Sequence, residues 1–195
     1  KCSPPADRCM AVNGEISCYC PEGSVESPSG CLATDLKVFV TSQAIQGSTM
    51  GGVAGADNVC NTLASTAGLS GTYLAWLSTA DQAAADRLIG GGPWRTWSTD
   101  DALWTALVAY DVDDLRDGEL GSAIRFNQLG LADDDDDKCL VWTGTGANGE
   151  PPPQGGLTNA CAAWTGDGFG QIGRCNGSDE SWTSFAPANL SLIHI

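Results

Sequence analysis

Histidine is almost absent from this 195-residue chain, and its scarcity excludes several kinds of active site. The only histidine is His194, next to the last residue of the sequence. Serine and cysteine nucleophiles usually need a histidine base, and histidines are common ligands of catalytic zinc. The sequence therefore argues against nucleophilic hydrolysis that depends on histidine and against a histidine zinc site.

Basic residues are also scarce, since 9 Lys and Arg stand against 24 Asp and Glu and give a net charge of −15. Nucleic acids, anionic membranes and heparin-like polyanions attach to basic surfaces. We therefore expect no nucleic-acid partner and no heparin binding. The sequence has no apolar run near the roughly 20 residues that a spanning helix needs, so we expect no direct membrane insertion.

The residue types that are abundant point to a secreted, loop-rich protein. The 25 glycines and seven tryptophans fit a loop-rich β architecture better than a helical bundle, and the length suits one or two domains. Nine cysteines indicate an oxidising compartment, hence an extracellular or outer-cell-surface location. Clustered cysteines could instead hold zinc, but the one-residue spacing of Cys18 and Cys20 does not fit a zinc knuckle.

Residues 38–77 follow the order strand, glycine turn, helix, glycine turn, strand. Apolar residues from Ala56 to Ala67 recur at helical spacing and end at Gly68, which predicts a helix over 55–67. A possible capping box at Ser78 predicts a second helix over 79–89. Together with strands near 37–41, 73–77 and 140–143, these elements predict an α+β fold with a mostly antiparallel sheet. The expected core residues are Val38, Val40, Val59, Leu63, Trp76, Leu77, Val141, Trp142 and Trp164.

Several short motifs in this region and beyond it resemble one known family. They are Met50-Gly51-Gly52, Gly55-Ala56-Asp57, Ala75-Trp76-Leu77-Ser78, Cys139-Leu140-Val141-Trp142-Thr143-Gly144, Cys161-Ala162-Ala163-Trp164 and Ser181-Trp182. In this order they resemble the endostatin-like domain, a C-type-lectin-like fold found in some collagens and in bacterial outer-surface proteins. The resemblance implies a domain over 36–189, with its ligand site in the long loop region 144–180. Within this region the dipeptide Asn148-Gly149 predicts a turn.

Residues 1–34 carry five cysteines, Cys2, Cys9, Cys18, Cys20 and Cys31. Their spacing resembles the last five of the six cysteines of an EGF-like module, which implies that such a module precedes the main domain and lacks its first cysteine here. The two resemblances also imply a set of disulfides. They are Cys2–Cys18 and Cys20–Cys31, with Cys9, Cys60 and Cys161 unpaired because their partners lie outside this sequence. Cys139 and Cys175 are left, and we expect an additional bridge between them.

Calcium is the one metal ion whose binding the sequence leaves open, and no other cofactor is expected. Glu150-Pro151-Pro152 and Trp164-Thr165-Gly166-Asp167 are imperfect versions of the calcium motifs of true C-type lectins, so Glu150 and Asp167 are candidate ligands. Asp133 and Asp135 belong to a run of five aspartates, for which a solvated, self-repelling loop is the alternative.

The last six residues, 190–195, fit the codons CTG TCT CTT ATA CAC ATC of a transposase-based sequencing adaptor. We interpret them as adaptor read-through and exclude them from the fold prediction. The alternative is a natural terminal strand, because Leu190-Ser191-Leu192-Ile193 is mostly apolar.

The resulting functional expectation is a non-catalytic binding or adhesion module that recognises an extracellular protein or glycan. Two alternatives stay open. One is a secreted hydrolase that uses paired acidic residues, and the other is a calcium-dependent sugar-binding lectin.

Overall fold

The computed structural model describes residues 8–12, 15–19, 24–27, 30–33, 36–88, 91–99, 106–132, 139–151, 161–166, 169–189 and 192–195, with the backbone alone before residue 36. These residues form a mixed α+β structure with one long helix and several small sheets. In the part of the chain that the structure describes, no helix is both long and apolar enough to cross a membrane.

Helix α1 (Gly52–Thr66) is the main helix, and it agrees with the predicted 55–67. It buries Ala56, Cys60, Leu63 and Ala64 on one face. Its start is set by Gly51, whose φ of 80° most side chains cannot adopt. Its end has Gly68 at a φ of 74° and a hydrogen bond from the Leu69 amide to the Ala64 carbonyl at 2.9 Å, the arrangement expected at a glycine-terminated helix. A single helical turn, α2 (Cys161–Trp164), packs near its start.

Twelve short strands form five small sheets rather than the single sheet that the sequence predicted. The strands are β1 (Arg8–Val12), β2 (Glu15–Tyr19), β3 (Ser24–Ser27), β4 (Gly30–Ala33), β5 (Leu36–Lys37), β6 (Ile45–Gln46), β7 (Trp94–Thr96), β8 (Ala106–Ala109), β9 (Leu140–Trp142), β10 (Phe169–Arg174), β11 (Ala186–Asn189) and β12 (Leu192–Ile193). The three-stranded sheets have the orders β11-β10-β9 and β5-β7-β8, and the two-stranded ones pair β1 with β2, β3 with β4 and β6 with β12. All named pairs are antiparallel except β5 with β7, so the predicted antiparallel bias is confirmed.

The strand predicted at 73–77 is absent, although the segment lies beside α1 and its backbone groups are satisfied. The Asn61 side-chain amide binds both backbone groups of Tyr73, accepting from its N–H at 3.0 Å and donating to its carbonyl at 2.7 Å. Asp57 accepts from the Ala75 amide at 2.8 Å and forms an ion pair with Arg87 at 2.6 Å. Side chains of α1 and Arg87 therefore take the place of a neighbouring strand, and we call this arrangement the clasp.

The prediction of a second helix over 79–89 is also wrong. The described residues of this range, up to 88, form a loop that contains only a 3-10 turn at Ala85–Arg87. The Ser78 hydroxyl does not cap a helix start. It accepts from the Ala84 amide at 2.9 Å and shares a 2.9 Å hydrogen bond with Thr145. Ala83, Ala84 and Ala85 are all buried. Three consecutive buried residues fit a loop enclosed by protein better than a helix with one apolar face.

Most of the predicted core is confirmed, because Val40, Leu63, Leu77, Val141, Trp142 and Trp164 are buried. Val38, Val59 and Trp76 are only partly buried. Two tryptophan pairs dominate the interior. Trp142 and Trp164 meet edge to face with centroids 5.7 Å apart, and Trp76 and Trp182 lie 5.1 Å apart.

The last four residues pack into the fold, although the sequence analysis excluded them. Strand β12 pairs with β6, and His194 accepts from the Trp142 amide at 2.8 Å. Ile195 accepts from the Thr41 amide at 2.9 Å. These contacts agree with the alternative of a terminal strand. Re-sequencing of the gene would test the hypothesis that the codons come from an adaptor.

Candidate functional site

Three loops meet around an open, polar cleft of about 450 Å³, which we call the loop cleft. It is lined by Arg116, Asp117, Gly118, Glu119, Ala147, Asn148, Asp179 and Glu180. The middle loop begins the region 144–180 that the family resemblance marks as ligand-binding. The loop cleft therefore lies partly where the sequence placed the site.

Short-range contacts hold these loops in place. The Leu120 amide donates to the Ser178 carbonyl at 2.7 Å and joins the first loop to the third. Arg116 forms an ion pair with Glu150 and joins the first loop to the second. The predicted Asn148-Gly149 turn is present, and Gly149, at a φ of 77°, packs so closely that a β-carbon there would lie 2.9 Å from Cγ of Arg116.

Carboxylates give the loop cleft its charge. Asp117, Glu119, Asp179 and Glu180 are exposed, whereas the lining cation Arg116 is already paired with Glu150. Asp117 accepts from the Glu119 amide at 2.8 Å, and Asp179 accepts from the Ser181 amide at 3.0 Å and from the Ser181 hydroxyl. The side-chain hydrogen bond from Ser181, followed by the backbone one, lowers the pKa of Asp179. Asp179 therefore stays an ionised acceptor.

The calcium candidates are only partly covered by the structure. Glu150 lies at the end of the Asn148-Gly149 turn, where its carboxylate is engaged by Arg116. Asp133, Asp135 and Asp167 lie outside the described residues. Among the side chains that are described, no three His, Cys, Asp or Glu converge as metal ligands would.

The cysteine predictions can be followed for three residues. Cys139 and Cys175 form a disulfide with Cα atoms 5.4 Å apart, the pair expected from the sequence. Cys60 is a free, buried thiol, and burial is the main reason that its pKa rises to about 12, with the charge of Asp57 adding to the effect. In the ladder of β1 with β2, Cys9 lies opposite Cys18. The side chains of Cys2, Cys9, Cys18, Cys20, Cys31 and Cys161 lie outside the described part, so their pairing stays a prediction.

A second concave region lies between α1, the residues around Val38 and the Trp76–Trp182 pair, and it consists of two adjoining cavities. The inner cavity, about 100 Å³, reaches Cys60 and Trp142. The outer cavity, about 530 Å³, reaches the exposed residues Ser70 and Gly71. Both are lined by Val38, Tyr73, Leu74, Trp76, Ile124 and Trp182.

Sequence reasoning missed most of the residues that line these regions. The sequence does not identify Asp117, Asp179 and Glu180 as site residues, because no local pattern brings residues 117 and 179 together. The signal that existed was the Asn148-Gly149 turn, which correctly indicated a tight loop.

No model of a known protein family matches the sequence, and no curated protein matches it significantly. The function is therefore inferred from the chemistry of the two concave regions and from the motif resemblance.

Proposed function

We propose that this chain is an extracellular or cell-surface binding module without catalytic activity, which attaches to a protein or glycan ligand through the loop cleft. The observation that carries the proposal is the cleft itself, an open polar surface built by three loops, the first of which is bonded to each of the other two. Its carboxyl groups are good acceptors for ligand ammonium, guanidinium or hydroxyl groups. The same charges disfavour polyanions such as heparin and nucleic acid.

The electrostatics at Asp179 favour ligand binding over proton donation. A glycosidase that uses two carboxylates needs one of them protonated near neutral pH, and such a group has a raised pKa. Hydrogen bonds from Ser181 shift the pKa of Asp179 the other way. Asp179 is therefore suited to holding a ligand and unsuited to donating a proton.

We also propose that the main domain is endostatin-like and that an EGF-like module precedes it. The mixed α+β structure supports this at a coarse level, and the motif residues have structural roles. Gly51 starts α1, and Gly55 lies so close to Met50 that a β-carbon would be 2.0 Å from the Met50 carbonyl oxygen. Asp57 is the centre of the clasp.

The function is tested by applying the protein to an array of extracellular matrix proteins and glycans, with a panel of chromogenic glycosides assayed in parallel. We expect retention on at least one array member that weakens with salt, and no turnover. A Glu119→Gln/Glu180→Gln double variant should lose most of this retention. The control, Asp81→Asn/Asp86→Asn, removes two exposed acids elsewhere and should retain it.

Other results of the same experiment distinguish the alternatives. Turnover of a glycoside without retention on any array member would replace the proposal with the hydrolase. Retention that EDTA abolishes and calcium restores would favour the calcium-dependent lectin. Equal losses in the two double variants would show that net charge, rather than the loop cleft, carries the binding.

A further inference from the structure

The inner and outer cavities together form an apolar chamber with aromatic walls. The outer cavity alone, at about 530 Å³, has the size of a small-molecule site, typically about 300–1,000 Å³. Its wall toward the inner cavity includes the half-buried rings of Tyr73 and Trp76 and the buried ring of Trp182. Rings and aliphatic side chains of this kind favour a ligand with an apolar body.

The charged side chains that the structure describes on the walls of this chamber are both basic. Among the described residues, the only charged side chains on either cavity wall are Lys37, which borders both, and Arg174, which borders the inner one. The whole chain carries a net charge of −15, so two basic side chains and no carboxylate side chain on the described part of the wall depart from its general pattern. These two side chains favour an anionic group on the ligand over a cationic one.

Arg174 is held in place by packing. Its guanidinium carbon lies 4.4 Å from the centroid of the Phe185 ring, a cation–π contact that fixes the group from one side. The Nε atom of Arg174 is buried and has no hydrogen-bond partner. A buried donor without an acceptor is destabilising, and an anionic oxygen would satisfy it.

From this combination we propose that the two cavities bind a small amphipathic carboxylate, with its apolar body between Tyr73, Trp76 and Trp182 and its carboxylate near Lys37 and Arg174. This site lies on different residues from the loop cleft, and it does not depend on the function proposed for that cleft. The chemistry requires an aliphatic or aromatic acid rather than a neutral or cationic analogue.

The test uses the full chain and three probes that share one tail, namely decanoate, decanol and decylamine, titrated calorimetrically below their aggregation concentrations. We expect decanoate to bind about tenfold to a hundredfold more tightly than decanol, the range of one charge-assisted hydrogen bond, and decylamine to bind most weakly. Equal binding of decanoate and decanol would show an apolar site without a charge requirement and would overturn the proposal. Absence of binding by all three would overturn it as well.

Variants distinguish the contribution of the two basic side chains to binding from that of the apolar cavity. Lys37→Gln and Arg174→Gln should each reduce decanoate affinity toward that of decanol and leave decanol affinity unchanged. Arg125→Gln is the matched control, because Arg125 lines neither cavity, and it should bind decanoate as the parent does. Leu74→Trp fills space on the shared wall and should weaken both probes. If Arg174→Gln does not fold, Lys37→Gln and the probe series still decide, and unchanged decanoate affinity in Lys37→Gln would contradict the assignment.

Discussion

The two tryptophan pairs differ in burial and in hydrogen bonding, and the difference separates structural from binding regions of the molecule. Trp142 and Trp164 are 1% and 0% exposed, and their indole N–H groups donate to the carbonyls of Ile45 and Ser78, each at 3.0 Å. In the other pair, Trp76 is half-buried and donates to the Thr183 hydroxyl at 2.8 Å. The indole N–H of Trp182 is buried without a partner.

This comparison shows that aromatic content alone does not identify a core. The Trp142–Trp164 pair has both indole N–H groups satisfied and joins the Ile45 region to the Ser78 loop. The Trp76–Trp182 pair borders both cavities and has an unsatisfied donor, which natural cores usually avoid. The first pair is therefore suited to stability, and the second to a wall that a ligand can contact.

The largest expected effect is on the first pair. Trp164→Ala should lower the free energy of unfolding by about 3–5 kcal/mol, because it removes a fully buried ring and leaves a cavity. Trp182→Ala should lower it by roughly half as much, because that ring already borders empty space. Urea unfolding followed by circular dichroism measures both values. Equal losses would break the distinction between the pairs.

The clasp carries the next largest effect, since it holds the segment with Trp76 against α1. The Arg87 side chain is 7% exposed, so Asp57→Ala leaves a buried cation without its partner. We expect a loss of about 2–4 kcal/mol in unfolding free energy. Asp86→Ala, which removes an exposed acid nearby, should change it by less than about 0.5 kcal/mol. If both variants changed the unfolding free energy by a similar small amount, the clasp would not be what supports the segment with Trp76.

Strand β10 passes directly beside Trp182, and this contact can be tested at Gly173. A β-carbon at Gly173 would lie 2.0 Å from the Trp182 carbonyl oxygen, so Gly173→Ala should cost about 1–3 kcal/mol through forced backbone movement. Gly146→Ala is the control, because its β-carbon would meet nothing closer than 3.4 Å. Thermal unfolding should show a clearly lower midpoint for the first variant only. If Gly173→Ala left the midpoint of thermal unfolding unchanged, β10 would not pack closely against Trp182.

The Cys60 thiol gives a pH-dependent test of the inner cavity. Its pKa rises from 9.0 to about 12 on burial, so the folded and unfolded thiols are both neutral below pH 9. Between these values the unfolded thiol ionises and the folded one does not, and stability should fall by up to about 1.4 kcal/mol per pH unit as pH rises. Cys60→Ala should lack this part of the decline when urea unfolding is repeated from pH 8 to pH 11. Parallel curves for the two proteins would show that Cys60 is open to water.

The smallest expected effect is that of Trp182→Phe, and a comparison of the two indole N–H groups reveals it. Trp164→Phe removes the donor to the Ser78 carbonyl and should cost about 1–3 kcal/mol, since that buried acceptor is left unsatisfied. Trp182→Phe removes a donor that has no partner, so its hydrogen-bond cost should be close to zero and the total loss below about 1 kcal/mol. Chemical unfolding of the two variants side by side gives the difference. A larger loss at Trp182 would point to a partner for its indole N–H.

The sequence predicted local structure well where one segment contains its own signals. The spacing of Ala56, Cys60 and Leu63, followed by Gly68, located α1 to within three residues at its start and one at its end. Asn148-Gly149 located the turn at the loop cleft. In both cases the residues that determine the structure are neighbours along the chain.

The wrong predictions have a common physical cause, which is competition from distant partners. The segment at Tyr73 has strand-like composition, but Asn61 and Asp57 supply side-chain hydrogen bonds in place of a strand. The residues after Ser78 have helical composition, but the Ser78 hydroxyl is held by Ala84 and Thr145. Lys37 and Arg174 line the same chamber although 137 positions separate them, so no local pattern could indicate that site.

The disulfide between Cys139 and Cys175 also determines how the domain would respond to a protease. It closes a segment of chain with a sequence separation of 36, which includes the loop with Asn148 and Gly149. A single cut inside that segment leaves both fragments covalently joined, so the nicked protein keeps its mass until a reductant is added. Non-reducing and reducing gels of protease-treated protein would therefore show one band and two bands, respectively. Cleavage of one loop therefore does not release a fragment from the domain.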